Sequence, residues 1–328
     1  MTTARLGVLL PTREMAIGGD YRFGPLLDFA RAAEDLGFDS LWAGDSLTAR
    51  ARLDPLVVLS GVAAVTRRIG LGTAALTAAL RGPVQGANAI AALDHAAGGR
   101  LTVGLGSGFP IPESEQEFAA AGVPTAGRAG RLDEIADLWR HAWRTPGEPF
   151  KGRRYEVDCL DRLPPPHAKG GPPLWLAASD TPRVIRRVAA HYDGWLPFVP
   201  TPEAYGTAWN EIGRLTAAAG REPTAVTPGL YATVVVDPDA ARAEATLSAY
   251  VEAYYGYPLE LVRAIQAYGH GGPDQCAAWL AGYLRAGARH IVLRIGTLDD
   301  PIAQLQKIAE TLLPAVHGWP DLPMEGNR

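Results

Sequence analysis

Short apolar runs in this chain end on residues that could do chemistry. Residues 40–46 read Ser-Leu-Trp-Ala-Gly-Asp-Ser, stopping on a glycine, a carboxylate and a hydroxyl. Asp45 could orient a polar group of a substrate or accept a proton; it could equally form a rim ion pair or cap a helix. A second run closes with Gly104-Leu105-Gly106-Ser107-Gly108. This is not GxGxxG, because position 109 is Phe, so bare backbone for close approach of a ligand is the better reading. A third run ends in Ala177-Ala178-Ser179, just before Thr181-Pro182. A helix opening there presents unpaired N–H groups, an anion site to which Ser179 adds a hydroxyl. The simpler alternative is that Ser179 or Asp180 caps that helix. Arg294 lies inside the apolar run 290–296 and needs a partner if that run is buried, Asp45 being one candidate.

Other chemistries find no support. His95, His141 and His191 fall on helical segments, His167 in a Pro-rich loop and His290 at a strand start. Only His270 falls in a segment that could cover a site, which makes it a candidate acid or base. No His, Cys and Asp spacing resembles a metal site, no GxSxG elbow occurs, and no lysine ends a strand as a Schiff-base aldolase requires. The net charge of −4 and the lack of a basic cluster argue against a nucleic-acid partner. Cys159 and Cys276 are isolated and read as free thiols of a reducing cytosol. The stretch "LGVLL" is too short for a signal peptide and no run approaches the roughly 20 apolar residues of a membrane helix. A cytoplasmic protein with no membrane partner is expected.

The elements that must hold these residues are legible. Strand candidates are 5–10, 40–44, 69–73, 101–106, 173–178, 193–198, 230–236 and 290–296, rich in Leu, Val and Ile without clean alternation. Between them, Gly24-Pro25, Asp54-Pro55, Gly82-Pro83, Thr181-Pro182, Thr201-Pro202, Asp237-Pro238, Gly272-Pro273 and Asp300-Pro301 mark helix starts. Gly37, Gly98, Gly220 and Gly287 mark stops. Alternation repeated eight times predicts a closed (β/α)8 TIM barrel, with an open doubly wound sheet as the alternative. Three connections exceed simple turns: 107–128 after the fourth strand, 145–172 before the fifth, and 254–272 between the seventh and eighth. The last, with Tyr254, Tyr255, Tyr257 and Tyr268 around Gly256 and Gly269, is expected to act as a mobile lid. One domain over 1–328 with insertions is expected.

An ordered set of stretches between residue 5 and about 315 resembles the bacterial luciferase-like family of flavin- and deazaflavin-dependent oxidoreductases. They are "ARAAEDLGFDSLWAGDSL", the long segment from "DPLVVLSGVAAV" to "GGRLTVGLGSG", "EFAAAGVPTAGRAGRLDEI", "FKGRRYEV", "PPLWLAASDTPRVIRRVAAHYDGWLP" and "AGARHIVLRIG". The resemblance implies a (β/α)8 barrel binding reduced FMN or a deazaflavin at its mouth. It places Thr73, Ala74 and Ala75 beneath the flavin ring, commonly through a non-prolyl cis peptide, with Gly106 and Ser107 close to the cofactor. It puts the cofactor phosphate at Ala177, Ala178 and Ser179. Trp195 would close the ring pocket, or belong to the core, and a flavin carbonyl is a second candidate partner for Arg294. Many relatives carry a His at the end of the second strand; this chain has Asp45-Ser46, so no catalytic role transfers to Ser46.

With FMN the implied activity is monooxygenation of a small, largely apolar organic substrate by reduced flavin and O2, and the resemblance allows a separate flavin reductase as partner. A mouth lined by Ala74, Ala75, Phe109, Trp195 and Phe198 would suit that task by excluding water. With a deazaflavin the same pocket would transfer hydride to or from an organic substrate. Its acidic tail would favour a basic rim, for which Arg50, Arg52 and Arg81 are available. A non-catalytic flavin-binding relative is the remaining alternative, and no metal is expected. The small faces of helices 55–66 and 83–97 predict a homodimer, unless those faces pack on the barrel.

Overall fold

The computed structural model describes residues 3–319. Every predicted apolar run is a strand: β1 (Arg5–Leu9), β2 (Ser40–Ala43), β3 (Gly70–Leu76), β4 (Leu101–Leu105), β5 (Leu174–Leu176), β6 (Gly194–Trp195), β7 (Thr227–Val236) and β9 (His290–Ile295). They pair in parallel in the order β7-β9-β1-β2-β3-β4-β5-β6, and β6 returns to β7 to close the barrel. An eight-stranded parallel barrel wrapped by helices is a (β/α)8 TIM barrel, and the open-sheet alternative falls.

One strand was not expected. Residues 267–271, inside the proposed lid, form β8 (Ala267–Gly271), which pairs with the second half of β7 from Ala232 to Val236. The short β6 reaches only Thr227 and Pro228 of β7, so β8 covers the edge that β6 leaves bare. The segment 254–272 is therefore the end of a helix, a short helical turn and a sheet strand rather than a free flap. Gly269 serves there as space for an indole: a Cβ on it would lie 2.4 Å from the Trp279 ring.

Helix starts follow the prolines. Pro55 opens α3 (Pro55–Val65) behind Asp54, whose carboxylate accepts from the N–H groups of Leu56 and Val57, and α4 (Pro83–Ala97), α7 (Pro182–His191), α8 (Pro202–Ala218), α11 (Pro273–Arg285) and α12 (Pro301–His317) begin likewise. Asp237-Pro238 misleads by two residues. There Asp239 is the cap, and α9 (Ala240–Tyr255) starts after it, because Asp237 is occupied by Arg242 and the Asp239 N–H. The four predicted stop glycines all have positive φ, from 61° at Gly98 to 110° at Gly287. The first insertion carries α5 (Pro112–Ala120), the second a hairpin of 150–151 with 156–157, and α6 (Arg128–Arg144) lies between them. Among the described residues no helix is long and apolar enough to cross a membrane.

The barrel lumen is plugged by two indoles. Trp42 and Trp175, with ring centres 5.4 Å apart, pack with Leu9, Leu196 and Val292. Glycines on neighbouring strands make the room. A Cβ on Gly72 would sit 2.4 Å from the Trp42 ring, and one on Gly194 2.5 Å from the Trp175 ring. Ala74, Ala177 and Tyr231 rest on this plug and form the floor of the space above it.

Candidate active site

At the C-terminal ends of the strands lies a cavity of about 1040 Å³, the end where TIM-barrel enzymes carry their sites. Its floor is bare backbone and methyl groups from Gly44, Ala74, Ala75, Gly106, Ala177 and Ala178. The Ala74–Ala75 peptide is cis, at the strand end where the sequence resemblance put such a bond. A side chain on Gly44 would run into Arg52 at 2.6 Å, and a Cβ on Gly106 would sit 3.2 Å from that of Ala75. A flat ring system fits on such a surface. Phe109 and Phe198, their ring centres 5.5 Å apart, stand at the entrance.

On the β5 side, Ser179 and Asp180 lead into α7. Thr181 is the N-cap residue but makes no side-chain cap bond, so neither reading of a capped helix holds: Ser179 and Asp180 cap nothing. Asp180, Thr181, Arg183 and Val184, at the start of α7, line the cavity together with Ser107 and Arg128. Arg187 also reaches the wall, but it is held by Asp133 at 2.7 Å. Ser179, the helix start, and two arginines without ion pairs among the described residues make a donor set for a phosphate.

Two of the expected catalytic residues are committed elsewhere. Asp45, its side chain 4% exposed, accepts from Arg81 at 2.7 and 3.1 Å and from the Thr77 N–H at 2.9 Å. Arg81 continues to Asp54 at 2.6 Å. Burial opposes the Arg81 charge, yet its bonds to the two aspartates raise its pKa. Asp45 therefore fixes the β2 and β3 loops, is not the partner of Arg294, and removes Arg81 from any basic rim. Ser46 Oγ donates to Glu117 Oε1 at 2.8 Å and accepts from the Arg50 N–H. The same Glu117 oxygen also takes the N–H groups of Leu47, Thr48 and Ala49. Glu117 lines the cavity through α5, a helix that the sequence pattern did not single out.

Three other candidates do not line the cavity, and for Trp195 the core reading is the one that fits. Thr73 is fully buried and donates to the Gly104 carbonyl at 2.8 Å, so its side chain cannot touch a ligand. Trp195 is fully buried outside the lumen, stacked on Tyr205 at 5.2 Å, and does not line the cavity. His270 is also absent from the lining; burial and then Arg263 lower its pKa, with Glu244 opposing.

The far wall holds Arg294. It is 2% exposed, and donates from Nε to Thr233 at 3.0 Å and from Nη1 to the Tyr255 hydroxyl at 2.7 Å. Tyr231, Tyr250, Tyr254 and Tyr255 all present ring faces to its guanidinium. Burial raises the pKa of Tyr231, Tyr250 and Tyr268, so these are neutral hydroxyls around a permanent cation. Sequence reasoning missed this aromatic box. Its signals in the sequence are Arg294, which needs a partner, and Tyr254, Tyr255 and Tyr268, which read as part of a lid. Among the described residues no three His, Cys, Asp or Glu side chains gather where a metal could be held.

A family model described as luciferase-like monooxygenase matches residues 4–290. The chain belongs to this family. Among curated proteins it is 34% identical over 185 residues to an F420-dependent glucose-6-phosphate dehydrogenase of Kineococcus radiotolerans, covering 53% of this chain and 52% of that one. The chain spans only about half the length of the curated relatives it matches. An F420-dependent secondary alcohol dehydrogenase in complex with an F420–acetone adduct superposes with a TM-score of 0.79 at 18% identity, covering 96% of this chain and 99% of that one. The oxygenating constituent of 3,6-diketocamphane monooxygenase from Pseudomonas putida, in complex with FMN, superposes at 0.72 with 16% identity, covering 96% and 98%. At such identities the likenesses bear on the fold alone, and they include both F420 and FMN proteins.

Proposed function

We propose that this member of the luciferase-like family is an oxidoreductase that works with a deazaflavin of the F420 type on an organic alcohol or carbonyl compound. The observation that carries this reading is the cavity's division into a bare floor and a β5 side on which Arg128 and Arg183 outweigh Asp180. Gly44, Ala74, Ala75 and Gly106 would carry the ring; Ser107, Ser179 and the start of α7 would hold the phosphate. Arg128 and Arg183, free of acid partners among the described residues, would meet the acidic tail that FMN lacks. The named F420 dependence of the 34% identical relative points the same way. When bound, the deazaflavin supplies a hydride donor or acceptor. The chain orients the substrate over the floor, and Phe109 and Phe198 keep water out.

FMN with O2, the activity first expected from the sequence, is the second reading, favoured by that apolar entrance. Titration of the purified protein with F420, FMN and reduced FMN separates the two. The deazaflavin reading expects F420 to bind more tightly than either FMN form, and to lose most of that preference in Arg128→Ala/Arg183→Ala. Tighter binding of reduced FMN, with O2-dependent turnover, overturns it.

A homodimer through α3 and α4 is also proposed. Gly61 and Gly86 close on Phe23 and Trp139 of their own chain, which leaves Val57, Ala64 and Ala92 facing outward. Sedimentation at micromolar concentration tests it.

A further inference from the structure

The wall of the cavity away from β5 holds a stack that the cofactor reading does not use. Tyr254 and Tyr255, ring centres 4.7 Å apart at the end of α9, are interleaved with three guanidinium groups. Arg50 lies 5.0 Å from the Tyr255 ring centre, Arg294 lies 5.2 Å from Tyr255 and 4.4 Å from Tyr254, and Arg52 lies 5.8 Å from Tyr254. All five side chains line the cavity. None of the three arginines forms an ion pair among the described residues, whereas Arg81, Arg154 and Arg187 nearby in the fold each have one.

The local charge is unbalanced. One carboxylate, Glu14, lies within reach: it accepts from the Tyr250 hydroxyl at 2.5 Å, and its charge helps to hold the Arg52 pKa up against burial, but it is one anion beside several cations. Its second oxygen is buried without a partner, as is Nε of Arg13. Arg13 adds a fourth cation beside them: burial first, then Arg52, lowers its pKa. Phenol faces and hydroxyls hold guanidinium groups in place, but they do not neutralise them. Three cations held rigidly in a half-buried wall need a counter-charge, and the wall opens onto the substrate space.

We infer that Arg50, Arg52 and Arg294, spaced by Tyr254 and Tyr255, form a subsite for an anionic group of the substrate, a carboxylate or a phosphate. A planar guanidinium pre-oriented by stacking offers paired N–H donors to either oxyanion. The inference rests on the oxidoreductase reading of the cavity and adds the substrate's class: an organic anion whose reacting carbon lies over the small-residue floor while its charge sits against β9 and the end of α9.

The test is calorimetric titration of the whole protein, without cofactor and loaded with F420 or FMN. The probes are matched pairs: glycerol 3-phosphate against glycerol, and succinate against succinamide. Inorganic phosphate is titrated alongside. The cofactor-free protein should bind phosphate at two sites, one of them displaced by cofactor and weakened by Ser179→Ala. The second should persist in the loaded protein, prefer the charged member of each pair, and weaken about tenfold or more in Arg52→Met. Arg50→Met/Arg52→Met should abolish the preference; thermal melts show whether each variant is folded, and Arg294 is left in place because its burial endangers folding. If a folded Arg52→Met keeps the preference, or if cofactor displaces every phosphate, the subsite is overturned. Absence of F420 binding with the second anion site intact would sink the deazaflavin reading and leave the subsite standing.

Discussion

One strand visits both ends of the barrel and meets opposite chemistry. The inward residues of β9 are His290, Val292 and Arg294. At the floor, His290 Nε2 lies 2.8 Å from Ser40 Oγ, which also accepts from Trp42 Nε1 at 2.8 Å, and the Trp42 and Trp175 rings stand edge-on to the imidazole. The Ser40 hydroxyl, the Trp42 indole N–H and His290 Nε2 are all paired there within the chain. At the mouth, Arg294 and its neighbours are positioned by the chain and not neutralised by it. A buried polar group that the protein satisfies holds the fold together; one it only orients is set up for something that arrives.

The comparison can be broken at the floor first. Trp175→Ala should cost about 3–5 kcal/mol, because the lumen glycines cannot fill the vacated space. Urea unfolding followed by circular dichroism measures it, and a loss under about 1 kcal/mol would mean that the plug is not what supports the mouth.

The second prediction concerns pH. Burial lowers the His290 pKa from 6.5 to about 4. The folded protein resists a proton that the unfolded chain accepts, so stability is intact above pH 6.5 and falls as the pH drops toward 4. The loss from this residue alone is roughly 3 kcal/mol over that window. His290→Asn should flatten the difference in unfolding free energy between pH 7 and pH 4. An unchanged slope would show that the imidazole titrates freely and that the floor is less closed than its geometry implies.

The smallest effect is expected at the mouth's β5 side. Ser179→Ala should reduce the preference for FMN over riboflavin by roughly 0.5–1.5 kcal/mol with no change in unfolding midpoint. An undiminished preference would move the phosphate away from α7.

Most of the frame was legible because strand and helix boundaries are local. Apolar runs, prolines after cap-type residues and glycines at stops are read a few residues at a time, and they located all eight barrel strands. The failures share a cause. "AYGHG" (267–271) reads as a hinge because Gly269 is required by the Trp279 ring across space, not by a turn; only Gly271, at φ 120°, answers to the backbone. Trp195 and Trp42 look alike as single aromatics on strands; only the parity of each strand within the closed barrel sends one outward to Tyr205 and the other into the lumen. Asp45 was found as a mouth residue, but its commitment to Arg81, 36 positions away, is invisible to local pattern. The Tyr and Arg stack draws on 50–52, 254–255 and 294, and no spacing rule connects them.

The Glu117 contact has a bearing on how the molecule assembles. One carboxylate oxygen gathers donors from Ser46 through Ala49, across about 70 positions of chain. Those donors lie in a turn that follows β2, while their acceptor sits on α5, beyond β3 and β4, so the latch needs α5 docked against that turn. Loop closure over that length is set against a single acceptor atom. This side of the mouth therefore depends on one point of failure: when that oxygen lets go, four donors are released together and Arg50, bonded to Ser46 through its N–H, loses its footing with Arg52 beside it.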